Sequence, residues 1–279
     1  MSRRISEEFP TAFVTGSGSG LGRAFADMLL SEGVRVWGTS REPSRLGFAS
    51  PLFQPVVLDL ADADAAAAAF GAAEARAGGA FDLVINNAGY GVFGEFDEVP
   101  SAAWEAQIGT MLVATLRLTH LAYSGMRRRG RGCLVNVSSL AAEFPLPFMS
   151  AYNVAKAGLS ALSESLLFET TGTGVRVIDF RPGDYRTSFN QAMQTQPTSR
   201  GSLSRTGPVW AVLEANLAAA PEPSRAAADL RRALCSRRRG IVRSGSFFQA
   251  RLAPLLARLV PASAAREASA RYFGLKRSR

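Results

Sequence analysis

Four glycines fall within seven residues, Gly16-Ser17-Gly18-Ser19-Gly20-Leu21-Gly22. They separate a strand-like apolar run, Thr11 to Thr15, from a helical stretch, Arg23 to Glu32. Glycine lets the backbone turn tightly and approach a pyrophosphate, and the helix N-terminus adds free N–H groups at the positive end of its dipole. A flexible Gly/Ser turn would have a similar composition. This one, however, lies at the first strand–helix junction, where a dinucleotide-binding loop is required. Gly16, Ser17, Gly20, Leu21 and Gly22 are therefore candidate cofactor contacts.

Further strand-like runs follow at Val34–Thr39, Pro55–Leu60, Phe81–Asn86, Gly132–Val137 and Gly174–Phe180, with helical stretches between them. Segments such as Val56-Val57-Leu58 and Leu83-Val84-Ile85 are continuously apolar, as strands buried on both faces are. The alternation predicts an α/β fold: a three-layer, Rossmann-like, doubly wound parallel sheet. The alanine tract Asp62–Ala77 sits where a covering helix belongs. A length of 279 residues with 47% hydrophobic composition suits one such domain. We assign it to residues 1–246, with a substrate loop at about 188–207 and a separate tail at 247–279.

The second strand ends at Ser40-Arg41. In a doubly wound fold an acidic residue at this tip takes the 2′-hydroxyl of NAD, whereas an arginine accommodates the 2′-phosphate of NADP. Ser40 is small and neutral and Arg41 is a planar cation suited to phosphate. NADP(H) is thus favoured over NAD(H). Farther on, Lys156 is one of only two lysines, the other being Lys276. It follows Tyr152 by four residues, which on a helix puts both side chains on one face. An ammonium beside a phenol favours the phenolate, so the tyrosine pKa of about 10 is expected to fall toward working pH. Such a phenol can give a proton to a carbonyl or take one from an alcohol.

Thr15-Gly16-x-x-x-Gly20-x-Gly22, Asn86-Asn87-Ala88-Gly89, Ser139, Tyr152-x-x-x-Lys156 and Pro182-Gly183-x-x-x-Thr187 occur in the order seen in the short-chain dehydrogenase/reductase family, which this chain resembles over roughly residues 9 to 190. The resemblance implies a single-domain enzyme that moves a hydride between a nicotinamide and an alcohol or carbonyl carbon, with no metal. It implies that Ser139, thirteen residues before Tyr152, holds the substrate oxygen, with Ser138 structural. Lys156 would lower the tyrosine pKa and bind the nicotinamide ribose. Asp59 and Leu60 resemble the adenine-edge contact; Asp59 is equally placed to cap the alanine-rich helix, and the two roles are compatible. Asn87, Ala88 and Gly89 would let backbone approach the adenosine ribose. Pro182 and Gly183 end the sixth strand, and Thr187 would grip the carboxamide. Tyr185 stands where an aliphatic residue is usual; its backbone would serve the same group, with the ring turned elsewhere, as into the substrate pocket.

One position departs from the family pattern. An asparagine seven residues beyond a tryptophan is expected to anchor a water relay behind the lysine, and counting from Trp104 gives Met111. Thr110 or a backbone carbonyl would have to take over, or the register is displaced by a turn. A cofactor-binding sensor or scaffold with little turnover is accordingly the alternative to an enzyme. A sugar-nucleotide epimerase is disfavoured by length and by the glycine pattern.

Cys133, Cys235 and the single histidine, His120, show no metal-ligand or disulfide spacing. The N-terminal residues carry no apolar signal core, and no run reaches the ~18 apolar residues that span a bilayer. A cytoplasmic location is expected. Phe93, Phe96, Phe144, Leu146, Phe148, Phe189 and Met193 lie on segments that border the pocket in this fold, which points to a lipophilic alcohol or carbonyl substrate. Charge is concentrated at the end: residues 221–279 hold fourteen Arg/Lys against three Asp/Glu, in a chain of net charge +9. Phe248, Leu252, Leu255, Leu256 and Leu259 share one helical face beside Arg251 and Arg258. The tail is expected to form one or two amphipathic helices broken near Pro254 and Pro261, packed on its own domain or on a second subunit, with peripheral membrane contact the lesser option. Nucleic acid is not an expected partner, since no recognition motif accompanies the charge.

Overall fold

The computed structural model describes residues 4–189, 193–195, 205–257 and 259–275. After one helical turn, α1 (Ile5–Glu8), the chain alternates through β1 (Thr11–Val14), α2 (Gly20–Ser31), β2 (Arg35–Ser40), β3 (Phe53–Val57), α3 (Ala63–Ala77) and β4 (Leu83–Asn86). A short β5 (Val92–Phe93) precedes α4 (Ser101–Ile108), which runs through a π turn at 109–113 into α5 (Ala114–Arg129). Then come β6 (Gly132–Val137), α6 (Ser150–Glu169), β7 (Val175–Pro182), a short β8 (Gln194–Thr195), α7 (Thr206–Ala218), α8 (Pro223–Cys235) and β9 (Gly240–Ser244). Two helices, α9 (Ala253–Ala257) and α10 (Ala262–Tyr272), follow.

Seven strands pair in parallel in the order β3-β2-β1-β4-β6-β7-β9, and β5 pairs with β8 apart from them. The order reverses between β1 and β4, which opens a crevice at the carboxyl ends of those strands. Alternate strand residues feed two cores. Ala12, Val14, Ile178 and Phe180 pack with Phe25 and Leu29 of α2 and Leu230 of α8. Phe13, Trp37, Val175 and Val177 pack with Phe70 of α3, Leu118 of α5 and Leu166 of α6. Helices thus cover both faces of the sheet, as expected.

The alanine tract is helical because Asp62, not Asp59, caps it, accepting from the Asp64 and Ala65 amides. Asp59 instead accepts from the Ala61 amide in the turn before. Two strands are displaced from the apolar runs that announced them: β3 runs Phe53–Val57 where Pro55–Leu60 was expected, and β4 starts late. Phe81 is core, yet Asp82 beside it bonds Thr11 through its side chain, so the β4 ladder begins only at Leu83.

The tail is helical and interrupted at Pro261, but Pro254 does not break it. A π turn over Phe248–Leu252, closed by the Ala253 amide on the Phe248 carbonyl, precedes that proline. Phe273 and Leu275 pack into the domain. The leucine face does not: Phe247, Phe248, Leu252, Leu255, Leu256, Leu259 and Val260 are exposed. The expectation that the domain itself covers this face is therefore corrected, and Arg258 lies outside the described residues. So does most of the expected substrate loop. No helix among the described residues is long and apolar enough to cross a membrane.

Candidate active site

The glycine loop is held from two sides at the crevice. The Gly16 amide donates to Thr39 Oγ1 (3.1 Å) and the Ser17 amide to the Thr39 carbonyl (2.8 Å). From β4, the Asn87 and Ala88 amides donate to Thr15 Oγ1 (2.9 and 3.0 Å), and Asn87 Nδ2 donates to the Thr15 carbonyl (3.0 Å). Gly22 is required by contact: a Cβ there would lie 2.2 Å from the Gly16 carbonyl oxygen and 2.5 Å from Asn87 Nδ2. Gly16 has φ +68°, a left-handed conformation that favours glycine. Ser19 caps α2 without a side-chain bond, so the first amides of the helix face the loop as an anion site. This cradle fits a dinucleotide pyrophosphate. Ser17 is fully buried with its amide and its hydroxyl both on the Thr39 carbonyl, so it shapes the loop and leaves the free donors to the helix N-terminus. Leu21 packs on the core.

At the β2 tip, Ser40 Oγ accepts from the Glu42 amide (3.1 Å) and Arg41 is exposed. Arg45 was not anticipated. It sits in the short 3-10 turn Pro43–Leu46, pairs with Glu42 (2.8 Å), and places its Cβ 2.9 Å from where a Gly18 Cβ would stand. The arginine four residues after Arg41 was its only sequence signal. Asp59 is exposed and Leu60 buried. Burial pushes the Tyr90 phenol up, Thr110 and the Arg41 charge oppose this, and the Asp59 charge adds to it.

Ser139, Tyr152 and Lys156 come together. Ser139 ends the run from β6 and caps a 3-10 turn, accepting from the Ala141 amide (3.0 Å), and its hydroxyl lies near enough to the Tyr152 phenol to act on its pKa. Tyr152 and Lys156 lie in the first two turns of α6, 9% and 4% exposed. Lys156 Nζ donates to the Val137 carbonyl (2.7 Å) and stands 5.8 Å from the Tyr152 ring centre. The expected fall in the tyrosine pKa is corrected. Burial pushes the phenol up to about 12, the Ser139 hydroxyl opposes this, and the Asp184 charge adds to it. Burial likewise brings the Lys156 ammonium down to about 8, opposed by Asp179. Desolvation outweighs the pairing that sequence spacing suggested.

Met111 lies in the π turn, fully buried, with its Cε 3.1 Å from where a Gly89 Cβ would stand; Lys156 Nζ is 3.6 Å from the same point. The count from Trp104 was thus in register. One turn earlier, Gln107 is fully buried and donates from Nε2 to the Tyr90 carbonyl (2.8 Å).

Of the expected pocket residues, Phe93, Leu146, Phe148, Phe189 and Met193 share one apolar cluster with Tyr152. Phe96 does not; it is 61% exposed against Trp104. Phe144 is half-buried outside the cluster. Trp210, Leu213 and Phe273 join the cluster from segments far along the chain and were missed. Pro182 ends β7 and Gly183 follows it, its amide on the Ser244 carbonyl (2.7 Å). The Tyr185 ring turns into the core beneath α2 and α8, its hydroxyl on Ser244, not into the pocket. Thr187 lies over the glycine loop, its Cγ2 3.4 Å from where a Gly20 Cβ would stand. Asp184, also missed, accepts from Gln249 Nε2 of the tail (2.6 Å). No metal-binding cluster is present among the described residues.

A parallel, doubly wound sheet with a glycine cradle at its switch point and a buried serine–tyrosine–lysine group defines a nicotinamide-binding oxidoreductase scaffold. Residues 10–198 match the short chain dehydrogenase family model, and the chain belongs to that family, whose members are oxidoreductases that bind nicotinamide cofactors. It is 32% identical to "Dehydrogenase/reductase SDR family member 4" of Bos taurus over 74% of this chain and 76% of that one. It is 33% identical to "D-erythrulose reductase" of Gallus gallus over 69% and 78%. A crystal structure of a short-chain dehydrogenase from Streptomyces avermitilis superposes with TM-score 0.77 at 28% identity, covering 95% of this chain and 98% of that one.

Proposed function

We propose that this chain is an NADP(H)-dependent oxidoreductase that interconverts a ketone or aldehyde and the corresponding alcohol on a lipophilic substrate, with Tyr152 as acid and base. The observation that carries the reading is the convergence of Ser139, Tyr152 and Lys156 against an apolar cluster that includes Phe93, Phe148, Phe189 and Trp210. A bound dinucleotide supplies or accepts the hydride. Ser139 holds the substrate oxygen, Tyr152 exchanges its proton, and Lys156 holds the nicotinamide ribose. Gly16, Ser17, Gly20, Leu21 and Gly22 form the loop that receives the pyrophosphate. Asp59, Leu60, Asn87, Ala88 and Gly89 border the adenosine, and Pro182, Gly183, Tyr185 and Thr187 the carboxamide. Ser40 and Arg41 take the 2′-phosphate, and we add Arg45 to them.

A panel of carbonyl compounds graded in size and polarity, assayed with NADPH and NADH, tests this reading. Bulky apolar ketones with NADPH should turn over best. Arg41→Ala should weaken NADPH on the order of tenfold and leave NADH nearly unchanged. Preference for small polar ketones, or equal affinity of the native chain for both cofactors, contradicts it. Tight NADPH binding without oxidation by any member favours the second reading, a cofactor-binding sensor, which the thioether of Met111 behind Lys156 motivates.

We infer further that the chain self-associates through the exposed tail face, since its own domain leaves Leu255, Leu256 and Leu259 uncovered and an apolar stripe of that kind promotes association. The triple variant Leu255→Ser/Leu256→Ser/Leu259→Ser should lower the mass seen by light scattering. An unchanged mass, together with binding of the native chain to anionic vesicles that the variant loses, would assign the face to a membrane surface instead.

A further inference from the structure

Beneath the serine–tyrosine–lysine group lies a polar network that cofactor and substrate binding do not use. Asp179 occupies the middle of β7, on the face where Val175 and Val177 are core, and it is fully buried. A carboxylate is unfavourable there unless its oxygens are satisfied. They are. Oδ1 accepts a short bond from Ser138 Oγ, and Oδ2 accepts from Ser160 Oγ (2.8 Å) and from Arg181 (2.7 Å). Arg181 also donates to Ser160 Oγ (2.6 Å) and to Glu143 (2.5 Å), and it lies 4.0 Å from Glu164. Arg243 of β9 grips Glu143 with two bonds (2.8 and 3.1 Å).

The two carboxylate oxygens reach the two elements that build the site. Ser138 adjoins Ser139 on one side and, on the other, Val137, whose carbonyl receives Lys156 Nζ. Ser160 lies one turn beyond Lys156 on the same buried face of α6. We propose that Asp179 is a positioning residue for this site, clamping the Ser139 turn to α6 and supplying the counter-charge for Lys156. The proposal rests on the functional reading of those residues, and its test does not require turnover.

The charge balance around Lys156 is simple. On its own helix it faces the neutral phenol of Tyr152, and from β7 the Asp179 charge, held one residue from Val137 by Ser138, is the one carboxylate that opposes the effect of burial on its ammonium. Glu143 and Glu164 act one step away, on Arg181, and Arg243 acts on Glu143. Replacing Asp179 by asparagine keeps the shape and removes the charge, so no carboxylate then opposes the effect of burial.

With only two lysines in the chain, labelling with [6-13C]lysine gives two side-chain resonances, and Lys276→Arg assigns them. In Asp179→Asn the Lys156 midpoint should fall by about a unit or more while Lys276 stays. Because that change strands Arg181, the paired variant Asp179→Asn/Arg181→Met should be measured beside it, with a smaller fall expected, since a positive charge goes with the negative one. Ser138→Ala keeps the charge: the Lys156 midpoint should hold while kcat drops several-fold with the cofactor Kd unchanged. Loss of thermal stability with an unmoved Lys156 midpoint, in either folded Asp179 variant, would reduce Asp179 to a packing residue and overturn the proposal. A chain that never turns over a carbonyl would defeat the functional reading and still leave the titration to decide this one.

Discussion

Tyr152→Phe is expected to reduce NADPH-dependent carbonyl reduction by roughly a thousandfold, within the range that a positioned general acid contributes. Cofactor affinity should change by no more than a few-fold. The phenylalanine keeps the ring that packs edge-on against Phe189 at 5.7 Å and removes only the hydroxyl. Steady-state rates and a fluorescence titration with NADPH measure the two effects separately, and an undiminished rate would remove Tyr152 from its assigned role. The pH dependence has a definite sign. With the phenol up at about 12, Tyr152 carries its proton throughout the working range, as a donor in reduction must. Lys156, brought down to about 8, loses its charge as pH rises through that value, so native reduction should decline on the alkaline side, near 8 and well below the reference lysine pKa of about 10.4.

Gly22→Ala is expected to abolish dinucleotide binding, on the order of a hundredfold loss or more, and to cost about 1–3 kcal/mol of stability, as other overpacked sites do. The added methyl would meet the Gly16 carbonyl oxygen at 2.2 Å, and backbone cannot swing aside as a flexible side chain would. Nor can the loop shift freely, because Thr39 and Asn87 hold it from two strands. Gly71→Ala is the control. Gly71 lies in α3 with nothing within 4 Å of its added methyl, so it should raise stability by roughly 0.5–1 kcal/mol. Calorimetry and NADPH titration of both variants check the contrast; a Gly22→Ala protein that binds NADPH normally would show that the loop is not the cradle.

The features readable in the sequence are those encoded locally. Strand, glycine turn and helix are neighbours in the chain, so residues 11–31 declared both the fold class and the cradle. Tyr152 and Lys156 share one helix, so their spacing was informative. What escaped depends on which distant segments meet. Whether Lys156 tunes Tyr152 turns on how deeply both are buried, and burial is decided by β6, β7 and the apolar cluster together. Trp210 and Phe273 reach that cluster from beyond the short β8, and no periodicity announces such an arrival. The Tyr185 ring had two sides of the sheet to choose from, and only the Ser244 hydroxyl on β9 explains the one it took. Asp179 was visible as an acid in the run Val177-Ile178-Asp179-Phe180-Arg181, but its partners come from β6, α6 and the turn at Glu143.

The extent of the family match gives the pocket wall a further meaning. The match ends at residue 198, while Trp210, Leu213 and Phe273 stand beyond it and the Gln249 amide that holds Asp184 lies in the tail. Residues assigned to the chemistry and part of the surface that would select its substrate are therefore on separable stretches of one polypeptide. Mutational drift in the last third of the chain can reshape the pocket without touching Ser139, Tyr152 or Lys156. If the apolar cluster selects the substrate as proposed, exchanging residues 205–275 between relatives should exchange what they act upon.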